Sequence, residues 1–144
     1  MKTYRDIKII AVDAGYGNIK TASTIMPTGI KPCDNGTIFG GDVLIYEGKR
    51  YLIGAGHKEF IADKEQDNDY YLMTLAAVAN ELSQTKITTA DVHLAAGLPL
   101  TWLLRQRESL KAYLMRNATV DFSYKGVDYH IRFVGCSIFA QGYA

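Results

Sequence analysis

Residues 7–22 read Ile-Lys-Ile-Ile-Ala-Val-Asp-Ala-Gly-Tyr-Gly-Asn-Ile-Lys-Thr-Ala, and the rest of the chain is organised around this stretch. The apolar run Ile7–Val12 ends at a carboxylate, Asp13. Gly15 and Gly17 follow, and then a strand-like pattern resumes. This order predicts a strand, a tight glycine-rich turn and a second strand.

Glycines in such a turn can take positive φ without a Cβ clash, so the turn can point several backbone N–H groups at one place. Nests of this kind bind anions, phosphate above all. Asp13 stands where it can hold a hydrated Mg²⁺, and Lys20 can reach a phosphate as a point charge. Spacing alone also fits an ordinary glycine-rich β-hairpin without a ligand.

The glycine pattern is neither G-x-x-x-x-G-K-[ST] nor G-x-G-x-x-G, the two commonest phosphate motifs. The order D-x-G-x-G-N-x-K, from Asp13 to Lys20, instead resembles the first phosphate loop of the actin-like ATPases. It is most similar to the plasmid-segregation branch, the ParM/StbA-type proteins and related bacterial and archaeal actin-like proteins. Sugar kinases and Hsp70-type chaperones carry related loops.

Two later phrases add to this resemblance. The strand Asp91–Ala96 is followed by Gly-Leu-Pro-Leu and a basic amphipathic helix, Trp102–Arg116, as in the same family. The last phrase, Phe-Ala-Gln-Gly-Tyr-Ala, is similar to the family's P-Q-G-x-x-A, with Ala140 in place of the usual proline. The resemblance implies that Gln141 positions the water that attacks the γ-phosphate. Otherwise it is an ordinary residue of a terminal helix.

Composition narrows the class of protein. A chain of 144 residues fits one domain, and a formal net charge of +1 argues against a dedicated nucleic-acid surface. The sequence has no signal peptide and no apolar run of membrane-spanning length. Cys33 and Cys136 are far apart and form no C-x-x-C motif. We therefore expect a reduced cytoplasmic protein, with Cys136 in the core and Cys33 in a loop.

Periodicity predicts the remaining elements. The second strand continues over 20–24, and residues 26–41 form a long irregular loop. A helix begins at Tyr70, with Asp67 or Asp69 as its cap. Its buried stripe is formed by Leu72, Leu75, Ala79 and Leu82. Two hairpins turn at Glu47–Arg50 and Lys125–Gly126, and the run Phe133–Ile138 forms a final strand.

The resemblance implies an α/β fold, one actin-like (RNase H-like) half-domain with a mixed β-sheet, flanking helices and additional hairpins. Residues 1–144 are then a single N-terminal domain, and we expect it to be truncated at the start of the helix that leads to the second half. In this family the nucleotide, ATP or GTP with Mg²⁺, lies between the halves.

The same resemblance assigns roles to the loop. The backbone amides of Gly15, Tyr16, Gly17 and Asn18, with the Lys20 ammonium, contact the phosphates. Asp13 holds Mg²⁺ through water. Tyr16 stands where several relatives have a small hydroxyl residue, so a side-chain hydroxyl contact is not expected there.

For the complete protein, the resemblance implies ATP-dependent filaments that segregate plasmid DNA or move other cargo. An adaptor protein reaches the DNA, without direct nucleic-acid or membrane binding. We expect this stretch alone to be inactive as an ATPase and to self-associate through its exposed interface. Two alternatives stay open: a sugar-kinase-type phosphotransferase, with the carboxylate of Asp91 or Asp121 as its catalytic base, and a non-catalytic binding module. His57 and His93 are interpreted as structural.

Overall fold

The computed structural model describes residues 1–14, 17–33, 42–57, 68–98 and 100–140. Within these ranges the fold consists of two helices and ten strands. The helices are α1 (Asn68–Ser83) and α2 (Leu100–Leu114). The strands are β1 (Lys2–Tyr4), β2 (Ile7–Ala14), β3 (Asn18–Lys20), β4 (Ile25–Pro27), β5 (Gly29–Pro32), β6 (Val43–Tyr46), β7 (Lys49–His57), β8 (Thr89–Leu98), β9 (Thr119–Tyr124) and β10 (Val127–Ala140).

The described strands form one mixed sheet in the order β4-β3-β2-β8-β10-β9-β6-β7-β5, and β1 also pairs with β2. At its centre β2, β8 and β10 are parallel, whereas the outer pairs are antiparallel. A parallel centre with antiparallel margins confirms the predicted mixed sheet.

Strand β2 shows how the sheet separates its two faces. Ile10, Val12 and Ala14 are buried, and α1 contacts this strand. The residues that alternate with them are half-buried on the other face of the sheet: Ile7, Ile9, Ala11 and Asp13. The period of two confirms the predicted strand and extends it to Ala14. Both helices pack on the face of Ile10 and Val12, and the opposite face is more open.

Helix α1 is buried on almost every side. The predicted stripe of Leu72, Leu75, Ala79 and Leu82 is buried as expected, but every residue from Tyr70 to Ala79 is buried too. The reason is that α1 packs against the sheet and also against α2, where the Tyr71 N–H donates to the Tyr113 hydroxyl at 3.0 Å.

The start of α1 differs from the prediction. The helix begins at Asn68, two residues earlier than expected, so Asp69 lies in its first turn and is not a cap. Asp67, the other predicted cap, lies outside the described residues. An acidic residue in the first turn still complements the helix dipole.

Both predicted hairpins are confirmed, and the first has a tighter turn than predicted. Glu47 and Gly48 have φ of 50° and 77°, and Lys125 and Gly126 have φ of 53° and 80°. Positive φ at both central residues is the signature of the two-residue type I′ turn. The first turn is therefore Glu47-Gly48 alone, and the strand β7 already begins at Lys49.

Two predictions about strands are wrong. The second strand does not run to Thr24: β3 ends at Lys20, and the Thr21 N–H donates to the Thr24 carbonyl at 2.9 Å in a turn. The predicted irregular loop contains β4 and β5 in its described part. The final run, Phe133–Ile138, is a strand as predicted, and it forms part of the longer β10, which pairs with β9 and with β8.

Candidate functional site

The carboxyl ends of the three parallel strands meet at one edge of the sheet. The register pairs Val12 with Ala96, Ala96 with Ile138, and Leu98 with Ala140, so β2 and β10 end at the same level. They flank β8 and therefore end two strand spacings apart, about 10 Å. Ligands of α/β sheets bind outside such carboxyl ends.

Asp13 and Lys20 are direct partners in the register of β2 and β3. Their side chains therefore leave the same face of the sheet, next to each other. Asp13 is half-buried, whereas Lys20 and Asn18 are exposed. The next pair, Ala14 and Ile19, is buried on the helix face. The strand pair thus places Asp13 and Lys20 on the same face of the sheet at the end of β2.

Gly17, which directly precedes β3, has open space where a side chain would lie. A Cβ placed there would meet no heavy atom within 4 Å. Its φ is not in the left-handed region, which among the described glycines only Gly48, Gly54 and Gly126 occupy. Gly17 thus leaves room for a ligand to approach the backbone but does not use the expected freedom of φ. The predicted site residues Gly15, Tyr16 and Gln141 lie outside the described residues.

Thr28 adjoins this loop and was not predicted as a site residue. Its N–H donates to the Gly17 carbonyl at 2.9 Å, just beyond the pairing of Asn18 with Pro27. The side chain is buried, and its Oγ1 has no hydrogen-bond partner within the described parts of the chain. The sequence gives no local signal for this contact, because it depends on the pairing of β3 with β4.

Glu81 anchors the turn that follows β3. Its buried carboxylate accepts hydrogen bonds from the Thr21 and Ser23 hydroxyls, each at 2.7 Å, and from the terminal ammonium of Met1 at 2.9 Å. Burial alone would raise the pKa of Glu81, but the hydrogen bonds from Ser23, Thr21 and the terminal ammonium outweigh it and lower that pKa to about 2. An ionised Glu81 therefore fixes the exit of the candidate loop to α1.

The two acids of the phosphotransferase alternative lie at the opposite edge of the sheet. Asp91 pairs with Ile7, six residues before Asp13 and so about 20 Å from it along β2. Arg132 donates to both Asp91 oxygens, at 3.0 and 2.5 Å, and these hydrogen bonds lower the pKa of Asp91. Asp121 contacts His130 at 2.8 Å on the same open face. Neither acid can reach a substrate bound beside Asp13.

His93 has a structural environment. Its Nε2 lies 2.7 Å from the Ser137 hydroxyl, and its ring covers Gly135, where an added Cβ would lie 2.6 Å from Nδ1. Among the described residues, no group of three or more His, Cys, Asp or Glu side chains is arranged to hold a metal ion. The side chain of His57 lies outside the described residues.

Cys136 lies in the core, as the sequence predicts. Cys136 is buried on β10, and burial raises the pKa of its thiol to about 11, so it stays protonated. Cys33 is half-buried just after β5, and both thiols are free. In the part of the chain that the structure describes, neither helix is long and apolar enough to cross a membrane.

Comparison with known proteins places this geometry in a family. The family model for the N-terminal domain of actin-like proteins matches residues 11–143. A search of curated protein sequences finds no match.

Solved structures share the fold. The apo ParM protein of pSK41 has a TM-score of 0.74 at 16% identity, over 94% of this chain and 50% of that one. The Alp12 filament structure has a TM-score of 0.72 at 21% identity, over 95% of this chain and 47% of that one. The AlfA filament bound to AMPPNP has a TM-score of 0.72 at 12% identity, over 94% of this chain and 55% of that one. The chain thus spans about half the length of the solved structures that it matches.

Proposed function

The chain belongs to the family of actin-like protein N-terminal domains, and we propose that it forms the nucleotide-binding half of an actin-like ATPase. In this proposal the complete protein binds ATP with Mg²⁺, assembles into filaments and hydrolyses the nucleotide. The observation that carries the proposal is the register pair of Asp13 and Lys20 at the carboxyl edge of the parallel strands.

The residues at this edge fit a phosphate group and a hydrated magnesium ion. Mg²⁺ keeps several waters and needs only one or two carboxylates, so Asp13 alone would hold it through water. Lys20 would contact a phosphate as a point charge. The open surface of Gly17 allows a close backbone approach. The buried hydroxyl of Thr28, which has no hydrogen-bond partner in the part of the chain that the structure describes, adds a polar group. ATP bound here would supply the γ-phosphate for hydrolysis.

Residues outside the described ranges complete the proposed site. The backbone amides of Gly15 and Tyr16 would join those of Gly17 and Asn18 around the phosphates. Gln141, directly after β10, would orient the attacking water. In phosphoryl transfer of this kind, positioning and electrostatic stabilisation supply most of the rate enhancement.

Two of the similar structures support assembly. Alp12 and AlfA were solved as filaments, and the AlfA filament contains AMPPNP. We extend assembly to this protein, with plasmid DNA as the cargo and an adaptor protein as the link. The formal net charge of +1 agrees with indirect contact, because proteins that grip DNA directly carry a basic excess. The proposed location is the cytoplasm.

Equilibrium binding of Mg·ATP to the longest polypeptide that the reading frame encodes tests the proposal. Asp13→Asn removes the charge that would hold the hydrated metal, so we expect Mg²⁺-dependent ATP affinity to fall by about 10- to 100-fold. Asp91→Asn is the matched control at the opposite edge, and its affinity should stay within about twofold, because exposed ion pairs contribute little. Equal affinities of wild type and Asp13→Asn, or no binding by wild type, would refute the site.

A further inference from the structure

The Thr28 hydroxyl is a buried polar group without a hydrogen bond among the described residues. The residue is 2% exposed. A buried hydroxyl that lacks a partner costs free energy, and native proteins satisfy most such groups. Thr74 shows the usual arrangement in this fold: it is also 2% exposed, and its hydroxyl donates to the Tyr70 carbonyl at 2.8 Å.

Thr28 is tied directly to the candidate phosphate loop. Its N–H donates to the Gly17 carbonyl at 2.9 Å, which fixes its Cα beside the loop exit. On its other side Gly29 begins β5, and the pairing of β5 with β7 is irregular between Gly29 and Ile30. Thr28 is therefore the link between the strands of the loop and the β5–β7 part of the sheet.

We propose that Thr28 is a positioning residue of the phosphate site. Its hydroxyl donates to a backbone carbonyl of the phosphate-loaded loop, and this is the hydrogen bond that the described residues do not provide. The inference rests on the proposed function and adds a residue to its site. It also gives the loop a contact through which nucleotide binding affects the start of β5.

The substitution Thr28→Val separates this role from a structural one. Valine keeps the β-branched shape and removes only the hydroxyl, so the melting temperature without nucleotide should stay the same or rise, because no hydrogen bond is lost. Thr74→Val is the matched control. It breaks a buried hydrogen bond, so its melting temperature should fall while its ATP affinity stays at the wild-type value.

In the same ATP titrations, the dissociation constant of Thr28→Val should rise about fivefold, the effect of one lost neutral hydrogen bond. Thr28→Ser keeps the hydroxyl and should bind within about twofold of wild type. We thus expect Thr28→Val to be no less stable than wild type but to bind nucleotide more weakly, and Thr28→Ser to retain the wild-type affinity.

Each other outcome overturns a stated part of the account. A fall in melting temperature for Thr28→Val like that of Thr74→Val would show that the hydroxyl has a structural partner. If Thr28→Val binds ATP as tightly as wild type, or if the valine and serine variants lose ATP affinity equally, the inference about Thr28 is rejected. The proposed function still stands in that case, provided that the wild type binds ATP. Failure of wild type to bind ATP would reject both.

Discussion

Glu81 is the residue where one side chain joins three distant segments of the chain. Glu81 belongs to helix α1, and its carboxylate accepts hydrogen bonds from the N-terminus and from the turn after β3. Its pKa lies near 2 in the folded protein, below the ordinary 4.5. A carboxyl group with a depressed folded-state pKa contributes stability above its unfolded pKa and loses it as pH falls through the folded value.

Glu81→Gln should therefore lower the free energy of unfolding at pH 7 by about 2–3 kcal/mol, because charged hydrogen bonds are lost. The wild type should lose stability between about pH 4.5 and pH 2, and the variant should lose less over that window. Urea unfolding at pH 7, 4 and 3 measures both effects, with the exposed Glu108→Gln as control. Parallel pH profiles for wild type and Glu81→Gln would contradict this role.

At this scale the sequence indicates some site residues and hides others. The motif around Asp13 and Lys20 is local, and the antiparallel register that pairs these residues follows from the short turn between them. Thr28 and Glu81 owe their environments to segments distant in sequence. A glutamate near a helix end is usually solvated, and only the folded chain shows the hydroxyls that surround Glu81.

Helix α1 is joined to α2 by a hydrogen bond in its first turn. The Tyr113 hydroxyl of α2 accepts a hydrogen bond from the Tyr71 N–H at 3.0 Å. The same tyrosine ring packs edge-on against Tyr71, with centroids 6.0 Å apart. The contact joins the two helices where α1 starts.

Tyr113→Phe should therefore destabilise the fold by about 0.5–1.5 kcal/mol, because it removes a buried hydrogen bond between the two helices. Tyr4→Phe is a suitable control, since Tyr4 is 60% exposed, and it should change stability by less than about 0.5 kcal/mol. Thermal or urea unfolding compares the variants. If Tyr113→Phe is as stable as Tyr4→Phe, this hydrogen bond does not stabilise the contact of α1 with α2.

The elements that sequence patterns predict well are the long ones. The alternation in β2, the leucine spacing in α1 and the glycine turns of both hairpins identify those elements directly. Strands β4 and β5 are missed because they are three and four residues long and carry Pro27 and Pro32. Proline usually marks a loop, but it is tolerated at sheet edges and strand ends, where these strands lie.

For the whole molecule, the sheet brings the proposed chemistry to one edge. Asp13 is the penultimate residue of β2, and β10 ends at Ala140, immediately before Gln141, with β8 between the two strands. This arrangement follows from the parallel order of the three central strands, which local sequence patterns do not specify. It separates the proposed nucleotide edge from the Asp91–Arg132 pair at the other edge.

The most direct test of the central claim is ATP hydrolysis measured together with pelleting of the longest polypeptide from this reading frame, wild type beside Gln141→Ala. We expect wild type to hydrolyse Mg·ATP and to pellet with it. Gln141→Ala should pellet with ATP while its turnover falls by about 100-fold, because the attacking water is no longer oriented. Equal turnover of the two proteins, or no ATP-dependent pelleting by wild type, would contradict the assignment of an actin-like ATPase.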